Sequence, residues 1–465
     1  MAGATPQFPG TGPTPRAADS GAITDINVGN WTSYGHDLAN TRTNRSDSAI
    51  DRVSVSALTI SWEQGGLVGV TGTPVVVHGD VYFGDWQGNV WAVKAASGQV
   101  VWKVHVGGDV IGSPAVVKKA LYVGVGNDLY RLNAATGAVV WKTVTNANPY
   151  SQINASPVVV GKLVVQGTAQ FEEVVGKAPF TFRGSIGAFD TATGAQVWNF
   201  VTTPNDSTSG AGEGVWSTAA VDSKLGLLYV GTGQNISEPT GPLADSLLAI
   251  NYKTGALKWS RQFTNPDVFG VGNFTGKDAD VGASPNLWIS HGREMVGVGQ
   301  KNGVYHALNA ANGKEVWNTT LTPGSTFGGV LGSAALVGGK IIASSNVGDP
   351  ATNASTNTSK IFGLNPATGK IEWSTSEKGN VFGPISAVPG VAFVGTVAGN
   401  LYAIDTVTGD QLWTYATPAQ VAGGASIVKN RIFWGYGFTL FSGSGQGGMI
   451  SFKVKGAERL HQKSE

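Results

Sequence analysis

Ala92-Val93-Lys94-Ala95-Ala96-Ser97-Gly98-Gln99-Val100-Val101-Trp102 is the stretch whose reading decides the fold. A strand of apolar and small residues runs into a short polar turn, the turn carries a glycine, and a second strand presents a tryptophan. The pattern returns at Leu132 to Trp141, Ala188 to Trp198, Ala249 to Trp259, Ala307 to Trp317, Gly363 to Trp373 and Ala403 to Trp413, which makes seven copies. The turn glycines are Gly98, Gly137, Gly194, Gly255, Gly313, Gly369 and Gly409, and a hairpin turn needs glycine where φ must be positive. Each copy therefore predicts a β-hairpin.

The chain ends supply an eighth. Trp62 sits in Leu58-Thr59-Ile60-Ser61-Trp62 with no turn before it, and Met449-Ile450-Ser451-Phe452-Lys453-Val454 is a strand with no tryptophan after it. A second repeat gives the same number. Thr73-Pro74-Val75-Val76, Ser113-Pro114-Ala115-Val116 and Ser156-Pro157-Val158-Val159 have counterparts beginning at Ser217, Ser284, Ser333, Pro384 and Ala425. Eight four-stranded blades arranged radially leave only short edges, and pairing the first strand with the last closes the ring. The expectation is an all-β, eight-bladed β-propeller over 26–456, with a disordered segment at 1–25 and a flexible tail at 457–465.

Composition agrees. The 67 glycines, 14 tryptophans and 13% charged residues suit short buried strands joined by tight turns. A net charge of +1, from 31 basic and 30 acidic residues, offers no row of phosphates a partner, so nucleic acid and anionic membrane are excluded. The absence of cysteine excludes disulfides, thiolate catalysis and cysteine-bound zinc. No apolar run reaches the ~20 residues of a membrane helix. Asn-x-Ser/Thr triplets begin at Asn30, Asn44, Asn154, Asn205, Asn235, Asn273, Asn318, Asn353 and Asn357, an excess that points to a secreted glycoprotein. The six histidines lack metal-ligand spacing, and Gly210-Ala211-Gly212-Glu213-Gly214 has no helix after it to make a dinucleotide site.

Spacing locates the site. The repeat tryptophans from Trp62 to Trp413 stand 40, 39, 57, 61, 58, 56 and 40 residues apart, so the middle blades carry insertions. Long loops of repeat proteins collect on one face and are often functional. A small-molecule site is expected above the central channel, under loops 168–182, 202–215, 234–246, 262–283 and 347–358.

Several longer strings occur in a familiar order: Asn30-Trp31-Thr32-Ser33-Tyr34-Gly35-His36-Asp37, Phe171-Glu172-Glu173, Thr181-Phe182-Arg183-Gly184-Ser185, Gly214-Val215-Trp216-Ser217, Gly231-Thr232-Gly233, Asp278-Ala279-Asp280 and Gly299-Gln300-Lys301-Asn302-Gly303. With the tryptophan repeat, they resemble the pyrroloquinoline-quinone-dependent alcohol dehydrogenases, the polyvinyl alcohol dehydrogenase branch in particular. The resemblance implies a quinoprotein-type propeller holding pyrroloquinoline quinone and calcium in its channel. It makes Trp216 the floor beneath the quinone, with Lys301 and Glu173 beside the cofactor. Glu172, Gln234, Asn235 and Asp280 become calcium ligands, and Asp280, assisted by Lys301, becomes the base that takes the alcohol's proton.

The chain also departs from that pattern. Gln234 stands where the resemblance expects an asparagine, Ile111 where it expects an arginine for the cofactor's carboxylates, and Leu331 where it expects a tryptophan. Lys177-Ala178-Pro179-Phe180 replaces paired cysteines. These changes imply weakened or lost quinone binding, so the cofactor set is quinone with calcium or none. Plainer roles exist for each residue: blade packing for Trp216, solvated loop charge for Glu172 and Glu173, a hairpin lysine for Lys301. Three functions follow. The first is quinone-dependent alcohol oxidation; the second is a cofactor-free cyclisation, elimination or isomerisation on Asp280 and Lys301; the third is a non-catalytic binding propeller. Oligomeric state and substrate identity are open at this point.

Overall fold

Each tryptophan hairpin forms the outer half of a four-stranded antiparallel sheet. In the first, Asn89–Lys94 pairs with Val100–His105 so that Trp102 faces Ala92, and a bulge follows at once. Trp198, Trp259, Trp317 and Trp413 likewise face alanines, and Trp373 faces Gly363. A small residue opposite leaves room for the indole. The computed structural model describes residues 29–454 apart from 46–47, 174, 177, 270–277, 326, 350, 353 and 439–445. The segments expected at 1–25 and 457–465 lie outside the described residues.

Eight sheets make an eight-bladed propeller, seven of them four-stranded and the third extended by the short strand Ser151–Gln152. Their inner strands are Val75–Val77, Ala115–Val117, Val158–Val160, Ala220–Asp222, Asn286–Ser290, Ala335–Val337, Ser386–Val388 and Ser426–Val428. The blades are numbered 1 to 8 in that order. Blade 8 is the joint: its outermost strand, Leu58–Leu67, pairs antiparallel with Gly447–Val454 from Leu58↔Val454 to Leu67↔Gly447. Helix is confined, among the described residues, to one 3-10 turn at Ser54–Ala57.

The two repeats have distinct jobs. Each outer tryptophan reaches into the next blade. Trp62 Nε1 donates to the Ala95 carbonyl at 2.9 Å and Trp102 Nε1 to that of Ala134 at 2.9 Å, and the series continues to Trp373 and Thr406 at 3.1 Å. The indole lies on the turn glycine: a Cβ on Gly98 would come within 2.8 Å of Trp62, and one on Gly137 within 2.6 Å of Trp102. Those glycines are thus required twice, by positive φ and by the ring above them. The inner Ser/Thr repeat stitches blades near the axis. Backbone N–H groups of Ser113, Ser156, Thr218 and Ser284 donate to the hydroxyls of Ser156, Thr218, Ser284 and Ser333 at 2.8–2.9 Å.

Residues 31–44 form a clasp inside the channel. Trp31 and Val76 exchange two 2.8 Å bonds; the N–H groups of Val116, Val221, Leu287, Leu336 and Ala387 then donate to the carbonyls of Thr32, Leu38, Ala39, Thr41 and Arg42. Asn44 Nδ2 donates to the Ile427 carbonyl at 2.9 Å. The clasp thereby hydrogen-bonds to the inner strand of every blade except the third among the described residues, and satisfies donors that the sheets leave open. Arg42 fastens it. Its wholly buried guanidinium donates to the Ile385 carbonyl at 2.7 Å, to Ser386 Oγ at 2.7 Å, to Thr73 Oγ1 at 3.3 Å and to the Tyr34 carbonyl, with its charge over the Tyr34 ring at 4.7 Å. Burial lowers its pKa to about 10.

Three of the Asn-x-Ser/Thr triplets serve this framework: Asn30, Asn44 and Asn235 are buried, which leaves no room for a glycan in the folded chain. Asn205, Asn318 and Asn357 are exposed.

Candidate functional site

In an up-and-down blade, the connection from second to third strand and the connection to the next blade leave from the same end. The long connections Gln170 to Ser185, Val201 to Ala220, Gly231 to Ser246, Gln262 to Asn286 and Gly348 to Ser355 are all of these two kinds. They rise together at one mouth of the channel, opposite the end where the clasp begins at Asn30 beside the His78 turn.

At that mouth, on the side of blades 4 and 5, four of the expected residues meet. Lys301 Nζ donates to Asp280 Oδ2 at 2.5 Å and to Asp278 Oδ2 at 2.9 Å, and lies 5.4 Å from the centre of the Trp216 ring. Gln234 joins through its backbone, donating N–H to Asp280 Oδ1 at 2.6 Å. Trp216 rests on glycine: a Cβ on Gly282 would come within 1.7 Å of the indole, and one on Gly233 within 3.3 Å of its Nε1. The ring is therefore held flat beside the ammonium, and it is half-buried.

The other expected residues are engaged elsewhere. Glu172 is buried, and its two oxygens accept from the N–H and hydroxyl of Thr181, the N–H of Phe182 and Asn148 Nδ2. Those bonds tie its own loop. Glu173 Oε2 accepts from Gln170. The Gln234 amide donates to the Phe269 carbonyl at 3.0 Å, which fixes the 262–286 connection. Asn235 donates to Ser209, Gly210 and Ala211 and accepts from the Gly241 N–H at 2.7 Å. Ile111 is half-buried in the ring of channel-mouth residues, its carbonyl accepting from Thr71 Oγ1.

Three further acids complete the site. Asp278 Oδ1 is buried without a partner, and burial, opposed by Lys301, pushes the carboxyl up to about 7. Asp267 accepts from the N–H groups of Phe269 and Ala279, both at 2.9 Å, and burial raises it to about 6. Asp245 is wholly buried with neither oxygen bonded; burial first, then repulsion from Asp280, Asp267 and Asp278, holds it well above the ordinary range. Lys301 is pulled down by burial, but the two carboxylates outweigh that and keep it above the ordinary lysine value.

A repeat alignment contains the signal for Asp245. The residue entering the third strand is Gly88, Gly303 or Gly399 in blades 1, 5 and 7, with φ of 75°, 88° and 80°. In blade 4 that slot is Asp245 at φ 47°. A non-glycine residue in the left-handed region costs on the order of 1 kcal/mol, and the aspartate in this glycine slot sets blade 4 apart from its counterparts.

The arrangement can hold a planar group against Trp216, place an ammonium beside it and accept a proton at Asp278. Among the described residues no three acidic or histidine side chains converge enough to grip a metal ion as they stand. The bare oxygens of Asp245 and Asp278 are nonetheless donors of the hard type calcium takes. A separate cleft between the clasp and blades 2 and 3, lined by Tyr34, His36, Asp37 and Val159, has its one carboxylate already bound to Thr41.

The profile of the family described as glucose/ethanol/alcohol dehydrogenase, beta-propeller domain, matches residues 142–327, and that of the outer membrane protein assembly factor BamB matches 300–464. The chain is 28% identical over 457 residues to a polyvinylalcohol dehydrogenase of Sphingopyxis, covering 87% of this chain and 69% of that one. It is 30% identical over 363 residues to the quinohemoprotein alcohol dehydrogenase ADH IIB of Pseudomonas putida, covering 65% of this chain and 50% of the other. The quinohemoprotein alcohol dehydrogenase structure from Comamonas testosteroni superposes with a TM-score of 0.75 at 22% identity, over 92% of this chain and 81% of that one, which establishes the shared fold.

Proposed function

Because this chain belongs to the pyrroloquinoline-quinone-dependent alcohol dehydrogenases, on their polyvinyl alcohol dehydrogenase-like branch, we propose that it oxidises an alcohol at the acidic side of its channel mouth. The observation that carries this reading is the Asp278–Lys301–Asp280 group set beside the half-buried face of Trp216. Trp216 and Lys301 would hold the quinone, and Asp245 would hold calcium. Bound there, the quinone supplies the acceptor for the hydride that leaves the alcohol carbon.

The remaining chemistry belongs to the chain's own residues. Asp278 takes the hydroxyl proton at its bare Oδ1, since a carboxyl with a pKa of about 7 is matched to proton transfer at neutral pH. Asp280 has both oxygens already accepting hydrogen bonds, from the Gln234 N–H and Lys301 Nζ, and it positions Lys301. Lys301 stabilises the ionised Asp278 and presents positive charge beside Trp216. Loss of the proton to Asp278 and of hydride from carbon leaves a carbonyl product.

The test is to add pyrroloquinoline quinone and calcium to the purified protein, following absorbance, melting temperature and alcohol-dependent dye reduction. Saturable stabilisation is expected, with kcat/KM rising as pH passes about 7 and Asp278→Asn removing that limb. No stabilisation and no dye reduction would sink the reading. The engagement of Glu172 by Thr181 and Phe182, and of Asn235 by Ser209, Gly210, Ala211 and Gly241, favours one alternative, a cofactor-free acid–base reaction on Asp278 and Lys301. That alternative predicts binding of organic substrates without any response to quinone.

A further inference from the structure

The end of the propeller opposite the channel mouth is built from turns, and their charge is one-sided. The turns joining each blade's first strand to its second span residues 78–79, 118–119, 161–162, 223–226, 291–292, 338–339, 389–390 and 429–430. They hold Lys118, Lys119, Lys162, Lys224 and Lys429, all exposed, and no acidic residue. Acids on the flanking strands are already engaged: Asp80 with Lys94 at 2.7 Å, Glu294 with Lys224 at 3.0 Å, and Asp222 with the Leu225 N–H. Asp190, beside Lys162, accepts from the N–H and hydroxyl of Thr193. Farther out on the same end, the described turns between third and fourth strands add Lys253, Lys314 and Lys370 against the single acid Asp410.

The mouth is the reverse. Among the described residues its connections hold Arg183 and Lys301 as their only lysine or arginine side chains. Both are spent, Arg183 on the Pro204, Ser209 and Gly210 carbonyls and Lys301 on Asp278 and Asp280. Against them stand the acids of the site and the exposed Asp109, Asp206 and Glu238. The net charge of +1 is thus the sum of an acidic face and a basic one. Net charge speaks against an anionic membrane only where the two signs are mixed, and here they are sorted.

Shape selects the partner. Seven of the eight inner turns have two residues and blade 4's has four, so the ring of tips ends at nearly one level. The lysines are spread over blades 2, 3, 4 and 8 and do not line a groove that would track a nucleic-acid strand. The inner turns contain no tryptophan, tyrosine or phenylalanine, the side chains on which bases stack and protein partners anchor. A broad, flat, negatively charged surface fits what remains. We propose that this face rests on the headgroups of an anionic lipid bilayer, with the acidic mouth repelled from the lipid and turned toward bulk water. Lysine and glycine dominate the inner turns, so the contact is electrostatic and reversible. It does not depend on the alcohol-oxidation reading.

Co-sedimentation of the purified protein with vesicles tests it, using phosphatidylglycerol mixed into phosphatidylcholine and phosphatidylcholine alone. Binding is expected to the anionic vesicles only, and it should disappear near 1 M salt, where the Debye length shrinks to roughly 3 Å. Each lysine at such a surface contributes about fivefold to binding. Lys118→Gln combined with Lys119→Gln should therefore weaken it about 25-fold, while Asp109→Asn combined with Asp206→Asn, on the far face, should not weaken it; melting curves check that both variants fold. Acetylation of Lys118, Lys119 and Lys162, read by mass spectrometry, should slow on the anionic vesicles. No binding at low salt, equal binding to neutral vesicles, or binding that the lysine pair does not affect overturns the proposal. Tighter binding to a single-stranded oligonucleotide than to the vesicles also overturns it and assigns the face to nucleic acid.

Discussion

Replacing Arg42 with methionine keeps the volume of the clasp's fastening and removes its donors. The guanidinium is 0% exposed, with acceptors at Ile385, Tyr34, Ser386 and Thr73, and no carboxylate is bonded to it. After the change the two hydroxyls can turn to other partners, but the two carbonyls are left buried and bare. At ~1–3 kcal/mol for each unsatisfied group, offset by no longer burying a charge, the net loss is ~2–4 kcal/mol. A chain this long unfolds with an entropy of roughly 1 kcal/mol/K, so the melting temperature should fall by ~2–4 °C. Native-state hydrogen exchange adds a local readout: the inner-strand amides of Val221, Leu287, Leu336 and Ala387, which donate into the clasp, should lose protection together. An unchanged melting temperature with those amides still protected would refute the idea that Arg42 secures the clasp.

The hydroxyl ring gives an internally controlled pair. Ser284→Ala strands the buried Thr218 N–H and should cost ~1–3 kcal/mol, whereas Ser113 Oγ has no partner and Ser113→Ala should lie within ~0.5 kcal/mol of wild type in denaturant unfolding. Acidity offers the other. Burial, relieved in part by Ser209, Asn235 and Arg183, pushes the Glu213 carboxyl up to about 7 from an ordinary 4.5. A folded-state pKa raised in this way contributes stability that is complete below about 4.5 and is lost as pH climbs to about 7. Melting temperature should therefore decline between pH 5 and 7.5, and Glu213→Gln should flatten the decline by up to ~3 kcal/mol. An identical slope in the variant would count against it.

The blade count was legible because the residues that repeat touch one another. Trp62 lies on Gly98 and Trp102 on Gly137, so losing either partner spoils a blade junction, and both are printed in the chain at fixed spacing. The clasp was not legible, because most of its bonds run through backbone atoms that any sequence supplies; Tyr34, Asn40, Arg42 and Asn44 bring side chains to it, and none is unusual by type. At the mouth, Asp280 and Lys301, which the chain places in one blade, pair with each other, and Trp216, which the resemblance brought to the channel, lies beside them. What linear reading could not weigh was where a side chain spends its hydrogen bonds. Glu172 looks like a free loop acid until Thr181 and Phe182 fold back onto it. Asp278 looks like a neighbour of Asp280 until one of its oxygens is found bare. Asp245 is hidden in an ordinary strand start, and only its intrusion into a glycine slot gives it away.

The joint in blade 8 has a temporal consequence. Leu58–Leu67 leaves the ribosome before all eight inner strands, yet its pairing partner, Gly447–Val454, follows the last of them. Throughout synthesis the growing protein is an open arc with an unpaired strand at its leading end, and such edges readily pair with other chains. Residues 31–44 must likewise wait, since their contacts are spread over seven blades. Circularisation thus waits for Gly447–Val454, and a nascent chain stalled anywhere before Gly447 has no way to complete it.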